Sequence, residues 1–222
     1  MKNVSIGRHV DISKKKIQKA YKIIHGIKYK ISRLIDIVHT KLRLWGNGVQ
    51  CKSYRIVGIP YIETSKGRKI VFGNNLDMNN GMMANQIGFN TPCTLRAENG
   101  GSIIIGENVG MSQTTLVAKG ANITIGNNVK LGGGVKIYTT DFHCLDYMKR
   151  REPEVDMTKR QYAPVTVGDD CFIDTDVIIL KGVKIGDRSI VGAGSVVTKD
   201  IPADCIAGGN PCKIIKQIEG QY

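Results

Sequence analysis

Two hydrophobic periods divide the chain. Between Ser13 and Leu44 the apolar positions Ile17, Ala20, Tyr21, Ile24, Ile27, Ile31, Leu34, Ile35, Val38 and Leu42 follow steps of three and four, with lysines and Arg33 filling most of the gaps. That spacing gathers the apolar side chains on one helical stripe. Gly26 weakens a helix by about 1 kcal/mol relative to alanine, which allows a kink or a division into two helices. From Val167 onward the apolar step becomes six: Val167, Ile173, Ile179, Ile185, Val191, Val197. An earlier stretch runs Ile105, Met111, Val117, Ile123, slips by two, and resumes at Ile125, Leu131, Ile137. A period of six fits neither a helix nor an ordinary alternating strand.

Near-identical turns punctuate the sixfold steps: Phe72-Gly-Asn-Asn-Leu, Ile105-Gly-Glu-Asn-Val, Ile125-Gly-Asn-Asn-Val, Val167-Gly-Asp-Asp-Cys and Ile185-Gly-Asp-Arg-Ser. Such turns tolerate positive φ or bond their own backbone. The pattern predicts an all-β solenoid in which each short strand buries one aliphatic residue, with three hexads to a triangular coil. Stacked coils then sit about 4.8 Å apart, as neighbouring strands must. The rhythm breaks between Ile137 and Val167, where a polar stretch reads as a loop projecting from the solenoid, the usual place for function. His143 stands at its entrance. The chain thus divides into a basic amphipathic helical segment (1–55), a solenoid (56–205) with an inserted loop at 141–166, and a tail (206–222) expected to end in a short helix.

Composition narrows the classes. Of 222 residues, 41% are hydrophobic and 23% charged, which excludes a disordered or collagen-like chain. No apolar run nears the roughly 18 residues that span a bilayer, and the amino terminus lacks the apolar core of a signal peptide, so a cytoplasmic protein is expected. Six cysteines without a CxxC pair read as reduced, mostly buried thiols. The net charge of +13 is concentrated: residues 1–55 hold 14 Lys/Arg and two acids. That segment reads either as a helix packed on the body or on a neighbouring subunit, or as one lying on anionic lipid, peripheral at the inner membrane surface. Nucleic acid is not expected, because neither a binding motif nor interleaved aromatics accompany the charge. One histidine in the body cannot supply the ligands of a three-histidine metal site, even across a subunit interface, so no metal is expected.

The hexads, the segment Val167–Val197 and the tail Thr198-Lys-Asp-Ile-Pro…Gly209-Asn-Pro-Cys-Lys213-Ile-Ile-Lys216 resemble the hexapeptide-repeat acyltransferases. Within them the chain is similar to the maltose/galactoside acetyltransferases and their surface-polysaccharide O-acetyltransferase relatives. The resemblance implies a left-handed parallel β-helix, a homotrimer with active sites between subunits, and transfer of acetyl from acetyl-CoA to a hydroxyl of a sugar, nucleotide-sugar or polysaccharide unit. The same fold also serves N-acetylation of amino-sugar nucleotides, and a non-catalytic binding solenoid would keep the hexads without the His143 loop. By the resemblance His143 is the general base, since a neutral imidazole can take the hydroxyl proton during attack on the thioester. Asp141 stands as a candidate to hold its tautomer or to form an Asx turn, and Ser112 falls where that branch has an asparagine facing the histidine. Phe172 replaces a tryptophan common at its corner. Thr175, Ala193, Thr198, Lys199, Lys213 and Lys216 match acetyl-CoA contacts, the lysines meeting phosphates by charge.

Overall fold

The computed structural model describes residues 7–218, with side chains from Lys14 onward; residues 1–6 and 219–222 of the two terminal segments lie outside the described residues. One helix, α1 (Gly7–Gly46), passes through Gly26 without a break. It ends where Gly48 turns to a φ of 60° and the Val49 N–H caps the Leu44 carbonyl. Among the described side chains, its direct hydrogen bonds to the body come from Arg33 onward. Leu44 enters the core, Thr40 is buried, and Arg33, Thr40 and Arg43 donate to the carbonyls of Ile56, Gly58 and Pro60.

The rest is a left-handed parallel β-helix of three sheets. The first face stacks Gln50–Cys51, Ile70–Phe72, Ile103–Ile105, Ile123–Ile125, Val165–Val167 and Lys184–Ile185. The second begins with Tyr54–Val57 and climbs through Leu76–Asn79, Gly110–Ser112, Lys130–Gly133, Phe172–Ile173 and Ile190–Val191 to Cys205–Gly208. The third stacks Tyr61–Thr64, Thr94–Glu98, Thr115–Lys119, Lys136–Tyr138, Ile178–Ile179 and Val196–Val197. Pairing of Val167 with Ile185 gives the eighteen-residue coil that three hexads require. Six-step residues such as Ile137, Ile173, Ile179, Ile185 and Val191 are fully buried.

The corner between the first and second faces explains the repeated turns. Asn75, Asn108, Asn128, Asp170, Arg188 and Asp204 all sit at φ of 57–58°. Their side chains form a ladder up the edge: Asn75 donates to Asn108, Asn108 to Asn128, and Asn128 to Asp170, at 2.9–3.0 Å. Asparagine and aspartate tolerate the left-handed region and carry the groups that the next rung needs.

Three departures from the sequence expectation have local causes. The two-residue slip is absorbed because Ile137 pairs with Leu116 and Tyr138 with Val117, so Leu116 rather than Val117 points inward. A second insertion, residues 80–93, leaves the corner between the second and third faces; it accounts for the thirty-three-residue interval from Phe72 to its partner Ile105. Lastly, the tail does not form a helix over its described residues. Lys213–Gln217 turns back as a strand antiparallel to Cys205–Gly208, closing the open edge of the second face. All six cysteines are free, and burial pushes the Cys93 thiol up to about 12 and the Cys171 thiol up to about 11, so both stay protonated.

Candidate active site

The large insertion leaves the corner between the third and first faces, after Lys136–Tyr138. Its base is a short antiparallel stem in which Thr140 faces Tyr162 and the Ala163 N–H bonds the Thr139 carbonyl. Tyr162 lies over Gly120 so closely that a Cβ there would collide with the ring. Within the loop, Asp146 caps α2 (Tyr147–Arg150), and Pro153 opens α3 (Pro153–Thr158) at the position where its missing N–H costs nothing.

Helix α3 carries the residue that organises the site. Asp156 is 6% exposed. One carboxylate oxygen accepts the Cys144 N–H at 2.6 Å, and the other meets His143 Nδ1 at 2.8 Å. Arg160 stands 3.7 Å from the second oxygen. These contacts, the Cys144 N–H first and His143 second, hold the Asp156 carboxyl below its ordinary range. A carboxylate can only accept, so Nδ1 carries the ring hydrogen and the lone pair lies on Nε2. The His143 side chain is 64% exposed, which leaves Nε2 open to an incoming group. Arg150 donates to the Cys144 carbonyl at 3.0 Å, so both backbone groups beside the histidine are held.

Asp156, not Asp141, therefore orients the imidazole. Asp141 pairs instead with Lys181 of the next coil at 3.0 Å. Nothing in the hexad arithmetic points to Asp156, since it lies in the aperiodic loop; the run Glu152-Pro-Glu-Val-Asp156 signals only that a helix starts there. Ser112 is buried at the opposite edge of the third face, where its hydroxyl accepts from Asn85 and Asn79. Within one chain it is not brought to His143.

The residues matched to acetyl-CoA split in the same way. Thr175 and Ala193 precede the third-face strands Ile178–Ile179 and Val196–Val197, at the corner shared with Ser112. Phe172, exposed, leads into that corner. Thr198 and Lys199 follow Val196–Val197, at the corner from which the His143 loop emerges. Lys213 and Lys216, both exposed, lie on the returning strand. No cluster of groups suited to a metal ion occurs among the described residues.

What the fold and site define is a left-handed parallel β-helix bearing a His–Asp pair on an inserted loop. Residues 164–199 match the family described as Bacterial transferase hexapeptide (six repeats). The galactoside O-acetyltransferase of Escherichia coli is 37% identical over 120 residues, covering 54% of this chain and 56% of that protein. The chain spans just over half the length of the curated relatives it matches. A hexapeptide-repeat acetyltransferase from Vibrio cholerae, solved in complex with acetyl-CoA, superposes with a TM-score of 0.50 at 28% identity, covering 81% of this chain and 76% of that one. The N-acyltransferase AntD from Bacillus cereus shares the fold, with a TM-score of 0.59 at 19% identity over 81% of this chain and 89% of its own. The likeness to hexapeptide-repeat acyltransferases is thus carried by sequence and by fold.

Proposed function

We propose that the protein transfers acetyl from acetyl-CoA to a hydroxyl of a sugar, nucleotide-sugar or polysaccharide unit, with His143 as general base. The observation that carries this reading is the 2.8 Å contact between His143 Nδ1 and Asp156 beside a free, exposed Nε2. His143 takes the acceptor's proton as its oxygen bonds to the thioester carbonyl carbon. The imidazolium so formed, stabilised by Asp156, returns the proton to the departing coenzyme A sulfur. Asp156 is a positioning residue: it touches the imidazole and not the reacting atoms.

The corner geometry supports a homotrimer. His143, Thr198 and Lys199 lie at one edge of the third face, and Ser112, Thr175 and Ala193 at the other, so the two groups meet only if a second copy sets its corner against the loop. The exposed Lys199, Lys213 and Lys216 suit the coenzyme's phosphates as point charges. The test is consumption of acetyl-CoA in a screen over free sugars, nucleotide sugars and oligosaccharides. An acetylated product that hydroxylamine deacetylates marks an ester and supports O-transfer; a resistant product marks an amide and refutes it. Failure to bind acetyl-CoA at all overturns the enzyme reading.

A further inference from the structure

Helix α1 is the largest feature that the chemistry leaves unused. Its apolar residues recur with a period of seven at Ile17, Ile24, Ile31, Val38 and Trp45, with Ile27 and Leu34 beside them and Tyr21, Ile35 and Leu42 on the flank. In the folded chain this sector is open: Val38 is 50% exposed, Ile17 66% and Trp45 83%. Arg33, Thr40, Arg43 and Leu44, which hold the helix to the solenoid, all project from other faces. The apolar sector therefore points away from the body. No helix among the described residues is long and apolar enough to cross a membrane.

Charge decides what covers that sector. Between Lys14 and Arg43 stand ten basic residues and one acid, Asp36. We propose that α1 lies in the plane of an anionic lipid surface, with its apolar sector at the headgroup boundary and the solenoid held on its polar side. A coiled coil of further copies is the rival occupant. The positions flanking the seam carry Lys14, Lys16, Lys28 and Lys30 and no acid, and Lys41 falls in the seam itself, so parallel copies would bring cations together without a counter-charge. An anionic bilayer neutralises the same cations and takes up the same apolar sector.

Trp45, the single tryptophan of the chain, lies in the sector and reports on it. The full chain should float with vesicles of phosphatidylcholine and phosphatidylglycerol, not with phosphatidylcholine alone, and Trp45 emission should move to shorter wavelength on binding. Affinity should fall at least about tenfold as salt rises from low to high, because the attraction is screened. The quadruple variant Lys14→Gln, Lys16→Gln, Lys28→Gln, Lys30→Gln, which removes the cations flanking the apolar sector, should bind at least about a hundredfold more weakly, at roughly fivefold per cation near the surface. Ile24→Asp with Ile31→Asp should abolish flotation and leave thermal unfolding unchanged, since both side chains are more than half exposed. Equal binding to neutral vesicles, or none to anionic ones, overturns the proposal. So does a Trp45 spectrum already shifted without lipid and reversed by Ile24→Asp with Ile31→Asp, which would show that protein covers the sector.

Discussion

Replacing Asp156 by asparagine reverses the direction of one hydrogen bond and removes the charge that faces Arg160 at 3.7 Å. The amide oxygen still accepts the Cys144 N–H, now met by the carboxylate at 2.6 Å. The amide nitrogen, however, donates toward His143 Nδ1, which must then accept, and the ring hydrogen moves to Nε2. A histidine with hydrogen on Nε2 cannot take the acceptor's proton, so the general-base contribution of about 10²–10⁴-fold in rate should be lost. Asp156→Ala separates this chemical effect from a structural one. It loses the acceptor as well and leaves the buried Cys144 N–H unpaired, at a cost of about 1–3 kcal/mol. In a domain of this size that lowers the unfolding midpoint by about 2–4 °C per kcal/mol. The assay is steady-state acetyl-CoA consumption on an acceptor found by screening, paired with thermal unfolding. Asp156→Asn should lower kcat, keep the acetyl-CoA KM and unfold near the wild-type midpoint; adding it to His143→Ala should cost no more than about threefold further, because the two residues act as a unit. Turnover by Asp156→Asn within about threefold of wild type, at an unchanged midpoint, refutes the assignment.

Four further outcomes are expected. His143→Ala should reduce turnover by about 10²–10⁴-fold with acetyl-CoA affinity nearly unchanged, measured by calorimetric titration beside the rate assay. Lys213→Ala, on an exposed strand away from the proton transfer, should raise the acetyl-CoA KM more than it lowers kcat. Gly126→Ala should destabilise by about 1–3 kcal/mol, seen as a lower unfolding midpoint, because a Cβ there stands 2.7 Å from the Gly168 carbonyl carbon of the next coil. Because the folded Asp156 carboxyl titrates below its ordinary value, its hold on the loop should be complete above about pH 4 and lost as pH falls through that lower value. Pepsin cleavage within residues 141–164 should accordingly rise only below about pH 4 in wild type, whereas Asp156→Ala should be cut already above that pH.

How far the sequence reaches depends on the range of the interaction involved. The period of six from Val167 to Val197 is sufficient for the solenoid, because each coil repeats the same local demand: one aliphatic residue inward, then a turn that accepts positive φ. Asn75, Asn108 and Asn128 show that demand in their shared backbone conformation. The α1 stripe was equally legible, since helical periodicity is local, and one interior glycine, Gly26, weakens the helix by about 1 kcal/mol without ending it. His143 could be singled out as the one histidine of the body, at the polar break in the rhythm that follows Ile137. Its partner could not. Asp156 lies thirteen residues away and reaches the imidazole only because α3 folds back over Cys144, a pairing that no period encodes. The same limit moved Asp141 to Lys181, whose place beside it follows from coil stacking. It also turned the tail from helix to strand: Lys213–Gln217 takes its conformation from the unpaired edge of Cys205–Gly208, which exists only once the coils are stacked.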